Sequence, residues 1–282
     1  MSNLKDKFSE FDSAAKSDFK ISIPKSFLVL LMIIICMQIL SGFIIWPTYY
    51  WPLLNHFLMP LSFAIGGTTA TVALLLFVNA KWSSIRQHIL NPTSIVLILL
   101  SIFLYLFMLP FVEMLGSMVP VDSNEFMERL YREMLRNFEG MLDYKLAGFI
   151  TVCILAPFFE EILFRGILLR GLLQYGVSPI AAIILSSFLF GLAHLNPWQF
   201  VGAGFLGAIF GFVYYRTRSL WLCMFLHGLN NTISYIYMIK EGSMEGEISN
   251  SDNLPMIAGT FFLAVICGWS IYKLTQNKPK WN

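Results

Sequence analysis

Charge is scarce in this sequence. Asp, Glu, Lys and Arg make up 13% of the 282 residues, where a soluble domain carries about 25%. None of the four occurs from Ser26 to Ala80, from Gly171 to Tyr215, or from Ser219 to Ile239. A net charge of +2 with no basic run excludes a nucleic-acid-binding surface of the usual kind. The four cysteines, Cys36, Cys153, Cys223 and Cys267, are scattered with no CxxC pair. That excludes a disulfide framework and a cysteine-built zinc site, leaving small buried apolar side chains. There is no HExxH, so the usual helix-borne zinc pair is missing. Every Asp falls outside the apolar stretches, which excludes an aspartyl dyad in a membrane. Ser186 and Ser187 precede His194 but lack a GxS context.

What remains is apolar. Hydrophobic residues are 57% of the chain, and mean hydropathy is +0.67. A bilayer is crossed by about 20 apolar residues in a helix. The sequence therefore predicts an all-α, polytopic integral membrane protein with about eight transmembrane helices. They are placed near 27–46, 57–80, 94–119, 147–174, 178–195, 199–215, 219–239 and 255–273, with Pro47, Pro52, Pro60, Pro179 and Pro197 at their connections. The organisation reads as a polar tail (1–26), three N-terminal transmembrane helices (27–120), an amphipathic segment (121–146), a core with helices four to seven (147–240), and a last helix with its tail (241–282). The first apolar segment follows 25 polar residues and is too long for a signal-peptide core, so an uncleaved anchor is expected.

Most Lys and Arg fall on one side of this arrangement if both termini are cytoplasmic, the orientation expected from the positive-inside bias. The plasma membrane of a prokaryote is the expected location. From Asp122 to Asp143, apolar residues recur at Phe126, Leu130, Met134, Phe138 and Met141/Leu142, with charges on the other face. This is an amphipathic helix lying on the outer surface. Asp122 with Glu125 resembles a capping box. Ala203, Gly207 and Gly211, and likewise Gly66–Gly67, are small residues suited to close helix packing.

Ionisable groups inside spans are expensive and mark function. They concentrate here in three neighbouring segments: Glu160, Glu161 and Arg165 in PFFEEILFRG, His194 in FGLAHLN, and His227 with Asn231 in LHGLNN. Glu161 and Arg165 are four apart and share a helix face, so they read as a structural ion pair. Glu160 is turned about 100° away and is the better candidate for chemistry. Phe190 and His194 share a face, as do His227 and Asn231. A carboxylate and an imidazole can draw a proton from water, while a second imidazole and an amide can stabilise an oxyanion. Equally, Glu160, His194 and His227 could hold zinc, and the sequence leaves both open. His56 and His88 read as ordinary residues at span ends, and Glu113 as a peripheral acid.

Glu160-Glu161-xxx-Arg165, Phe190-xxx-His194 and His227-xxx-Asn231, in that order on neighbouring apolar helices, resemble the three motifs of the CAAX prenyl endopeptidase family (CPBP, or Abi). The resemblance covers about residues 147 to 235. It implies peptide-bond hydrolysis inside the membrane, with 147–240 as the catalytic core. Glu160 and His194 would activate water, and His227 and Asn231 would form the oxyanion hole. Glu161, Arg165 and Phe190 would support them. Family members are often labelled metalloproteases, yet a metal-independent glutamate mechanism is equally compatible with these residues. The implied partner is a membrane-embedded or lipidated, CAAX-like protein or peptide. Two other readings compete: a non-catalytic membrane adaptor or immunity protein, and a proton-coupled transporter, whose ion path also needs buried Glu, Arg and His.

Overall fold

Terminal carbonyls and amide groups fix where each helix begins and ends, and the caps are local. In the computed structural model, which describes residues 19–121, 123–241, 253–277 and 281, the helices among the described residues are ten. They are α1 (Ile23–Tyr49), α2 (Pro52–Val78), α3 (Trp82–Ile89), α4 (Ile95–Ser117), α5 (Glu125–Leu142), α6 (Lys145–Tyr175), α7 (Pro179–Leu192), α8 (Pro197–Thr217), α9 (Leu220–Glu241) and α10 (Leu254–Thr275). Ser22, Ser94, Ser178, Asn196 and Asn253 cap α1, α4, α7, α8 and α10 with side-chain oxygens, which is what Ser and Asn do at helix starts. Asn79 and Arg218 adopt left-handed backbone as α2 and α8 end.

Six of these helices are long and apolar enough to cross a membrane. Two more complete the expected eight. One is α9, long enough but carrying His227, Asn230, Asn231 and Thr232. The other is α7, apolar but only 14 residues long. Large apolar side chains such as Leu76, Phe57 and Ile180 stand exposed around the bundle, as lipid-facing surfaces do. The protein is an integral membrane protein.

Inside, α7 packs on α8, α4 packs on α8 and α10, and α9 lies along α6. Gly66 and Gly67 of α2 permit the closest approaches. A Cβ at Gly66 would overlap Ser41 Oγ of α1, and one at Gly67 would overlap the Phe159 ring of α6. Gly211 sits against Ile183, and Gly207 against Phe190, Ser187 and Arg165, so the small-residue row of α8 does receive its neighbour.

Several expectations change. The helix begins at Ile23, not 27, and Phe19 and Ile21 of the expected polar tail are buried; Ile21 N–H donates to the Gly171 carbonyl. Residues 1–18 and 242–252 of the predicted tail and loop lie outside the described residues. Pro60 falls inside α2 rather than in a connection. α5 starts from Asn124, whose side chain accepts from the Phe126 and Met127 amides. The proposed cap at Asp122 lies outside the described residues. α6 is not a uniform α-helix: wide π-helical turns occupy Ile150–Leu155 and Ile162–Leu169. The first lies just before Pro157, whose missing N–H and bulky ring are a standard cause of such a break. His88 is buried, with its ring against Tyr214 and Trp281, because α3 folds onto the bundle instead of lying free at the interface.

Candidate active site

The buried centre of the site is a carboxylate between two cations or donors. Glu161 Oε1 lies 2.9 Å from Arg165 Nη1 and 2.9 Å from His227 Nδ1. The pairing of Glu161 with Arg165 arises from their spacing of four on α6, and both are withdrawn from solvent. Arg165 also donates from Nη2 to the Gly207 carbonyl at 3.0 Å. Its guanidinium lies over the Phe190 ring at 4.6 Å and near the Phe210 ring at 5.7 Å. Gly207 makes room there: a Cβ would sit 3.3 Å from Nη2 and 3.1 Å from Phe190 Cδ1, a tight fit.

A carboxylate only accepts, so His227 carries its proton on Nδ1 and turns Nε2 the other way. Nε2 lies 3.8 Å from Glu160 Oε2, too far for a hydrogen bond. Glu160 itself is partly open, with a side chain 19% exposed against 0% for Glu161. One residue of separation along α6 therefore gives one carboxylate buried and held through Oε1 and one facing a space. Gly67 of α2, by receiving Phe159, sets the face of α6 from which Glu160 projects.

The second imidazole comes from a different kind of element. The sequence placed His194 within the fifth span, but α7 ends at Leu192 and His194 lies in the turn beyond it. Its Nδ1 is 2.9 Å from the Phe190 carbonyl. A carbonyl only accepts, so Nδ1 carries the proton and Nε2 keeps its lone pair. Phe190 links the two histidines, with its ring centroid 5.1 Å from that of His194 and 5.8 Å from that of His227. Among the described residues no hydrogen bond joins Glu160 to His194.

Asn231, one turn beyond His227 on α9, donates from Nδ2 to the Val152 carbonyl at 2.8 Å. Its Oδ1 accepts from Asn230 Nδ2, and Asn230 Oδ1 accepts from Tyr105 of α4. This chain of bonds fixes the amide, leaving one N–H of Nδ2 beyond the bond to Val152. Asn230 and Tyr105 were not singled out by the sequence. Asn230 sits in the motif LHGLNN, so its polarity inside a span was the available signal, whereas Tyr105 had none.

Zinc held by Glu160, His194 and His227 needs three donors around one point. Among the described residues no three His, Cys, Asp or Glu side chains gather that way.

The model of the family described as type II CAAX prenyl endopeptidase Rce1-like matches residues 143–233. That stretch contains all seven motif residues. Over this segment the chain is similar to the CAAX prenyl endopeptidase family. A relative in that setting is YdiL of Bacillus subtilis (strain 168), assigned by name as a membrane peptidase. It is 31% identical over 114 residues, 40% of this chain. The chain spans about half the length of that relative, 46%. No solved structure matches. The family segment runs from the Asp143 turn through α9 to Ile233, so α1 to α5 and α10 lie outside it.

Proposed function

We propose that this protein is an intramembrane endopeptidase that hydrolyses a peptide bond in a membrane-embedded or lipidated, CAAX-like protein or peptide. The observation that carries the reading is the contrast between adjacent carboxylates. Glu161 is locked between Arg165 and His227, while Glu160 is partly open and faces His227 Nε2. A base must reach its water, and only Glu160 of the two is free to do so.

The steps follow from the free atoms. Glu160, with His194 Nε2 as a second acceptor, orients a water and takes one of its protons. The water oxygen adds to the scissile carbonyl carbon. The resulting oxyanion accepts from the remaining Asn231 Nδ2–H and from His227 Nε2 when that nitrogen carries a proton. Glu160 then returns its proton to the departing amine as the C–N bond breaks. No step needs a metal.

Glu160→Gln keeps the shape and removes the base. In proteoliposomes, cleavage of a farnesylated CAAX reporter peptide should fall at least a hundredfold, the range for a lost general base, with folding retained. Full cleavage by Glu160→Gln overturns the reading. Comparing the membrane proteomes of cells carrying the wild type and Glu160→Gln identifies the natural substrate.

A further inference from the structure

The turn that carries His194 poses a problem of hydrogen bonding. α7 has 14 residues, about 21 Å at the α-helical rise. That is shorter than the roughly 30 Å hydrocarbon core, and each terminal carbonyl of a helix that ends within a bilayer must find a donor. Each does. The Leu189 carbonyl takes the Ala193 amide, Gly191 takes the His194 amide, and Leu192 takes the Leu195 amide. The Phe190 carbonyl takes His194 Nδ1, and the His194 carbonyl takes Asn196 Nδ2. Of the carbonyls from Leu189 to His194, the remaining one is that of Ala193. Its donor is Gln38 Nε2, 2.9 Å away on α1.

Among the described residues Gln38 is thus the one donor that the rest of the chain contributes to this turn. It comes from outside the segment shared with the family, 155 residues away in sequence. Its position is itself fixed. Gln38 lies in the wide π-helical turn Ile35–Leu40 of α1, a form that recurs at functional sites because it re-aims side chains. Three residues on, Ser41 Oγ donates to the Ser62 carbonyl of α2, and Gly66 lets the two helices touch. The turn under restraint is not a relaxed one, because Leu195 has φ +57, a left-handed conformation unfavourable for a residue with a Cβ.

We infer that Gln38 is a positioning residue, which holds the Ala193–Leu195 turn so that His194 Nε2 meets the water used by Glu160. The inference rests on the endopeptidase reading for its catalytic meaning, while the anchoring itself does not.

The test has one arm without substrate and one with it. In nanodiscs, Gln38→Leu should raise hydrogen exchange of the amides from Ala193 to Gln199, with the helices on either side protected as in the wild type. In proteoliposomes with the farnesylated CAAX reporter, its kcat should fall ten- to a hundredfold, the scale of a misplaced catalytic group, with KM nearly unchanged. Gln38→Glu gives a sharper readout. A protonated Glu can donate to the Ala193 carbonyl and an ionised one cannot, so its cleavage should carry a falling limb towards high pH that the wild type lacks.

Wild-type exchange of residues 193–199 in Gln38→Leu would overturn the inference, and so would protection lost throughout the bundle. A wild type that leaves the reporter uncut tells against the activity reading, and the exchange arm then still decides whether Gln38 anchors the turn.

Discussion

Glu161→Gln is the most informative perturbation of the buried centre. The substitution keeps an acceptor oxygen opposite Arg165 Nη1 and His227 Nδ1, both 2.9 Å from it, and removes the charge. Arg165, fully buried, is left with the Gly207 carbonyl and two aromatic faces. Removing one partner of a buried pair costs about 3–5 kcal/mol, and the retained acceptor places this case near 3 kcal/mol. At roughly 2–4 °C per kcal/mol for a chain of this size, the unfolding midpoint in nanodiscs should drop on the order of 10 °C. Glu160→Gln, partly exposed and without a hydrogen bond to His227, should cost less than about 1 kcal/mol. The double variant Glu161→Gln/Arg165→Gln removes the stranded cation and should recover a substantial part of the loss, a coupling of about 2 kcal/mol. A Glu161→Gln melting within about 2 °C of the wild type, or strictly additive singles, would refute the argument that Arg165 depends on this carboxylate.

Other expectations are equally open to measurement. Gly67→Ala should destabilise by about 1–3 kcal/mol and lower cleavage, because its Cβ overlaps the Phe159 ring beside Glu160. Adding Phe159→Leu should restore both, and unchanged activity in the single variant would separate α2 from the site. His88, in α3, has its pKa held well below the usual value by burial, then by Arg170 and Arg218. The folded state keeps it neutral while the unfolded chain takes up a proton near pH 6.5. Stability from this residue is therefore full above that pH and declines as pH falls through it. The wild type should lose more stability than His88→Gln between pH 7.5 and 5.5, and equal losses would count against it. For orientation, the exposed Asn137 of α5, replaced by Cys, should react with a membrane-impermeant maleimide in intact cells, and Arg86→Cys of α3 should not. The reverse pattern would invert the assigned topology.

Much of this protein was decided by composition. Long stretches without charge can satisfy their backbone in a bilayer only as helices, so the all-α class and the six long apolar helices follow from local sequence. The pairing of Glu161 with Arg165 follows too, since a spacing of four is a property of one helix. Pro52, Pro179 and Pro197 marked the starts of α2, α7 and α8. What local sequence could not provide was the meeting of distant segments. That His227 would turn Nδ1 to Glu161 and Nε2 towards Glu160 depended on how α9 lies along α6, with the wide turns around Pro157 altering the register. That His194 would leave the helix for a turn depended on where α7 runs out. Gln38 carried no signal in the sequence, and its role arises from α1 lying beside that turn. Spacing along a chain fixes which side chains share a face of one helix. Which faces meet is set by packing of all the helices together, through close contacts such as Gly66 with Ser41 and Gly67 with Phe159, and only the folded bundle determines those.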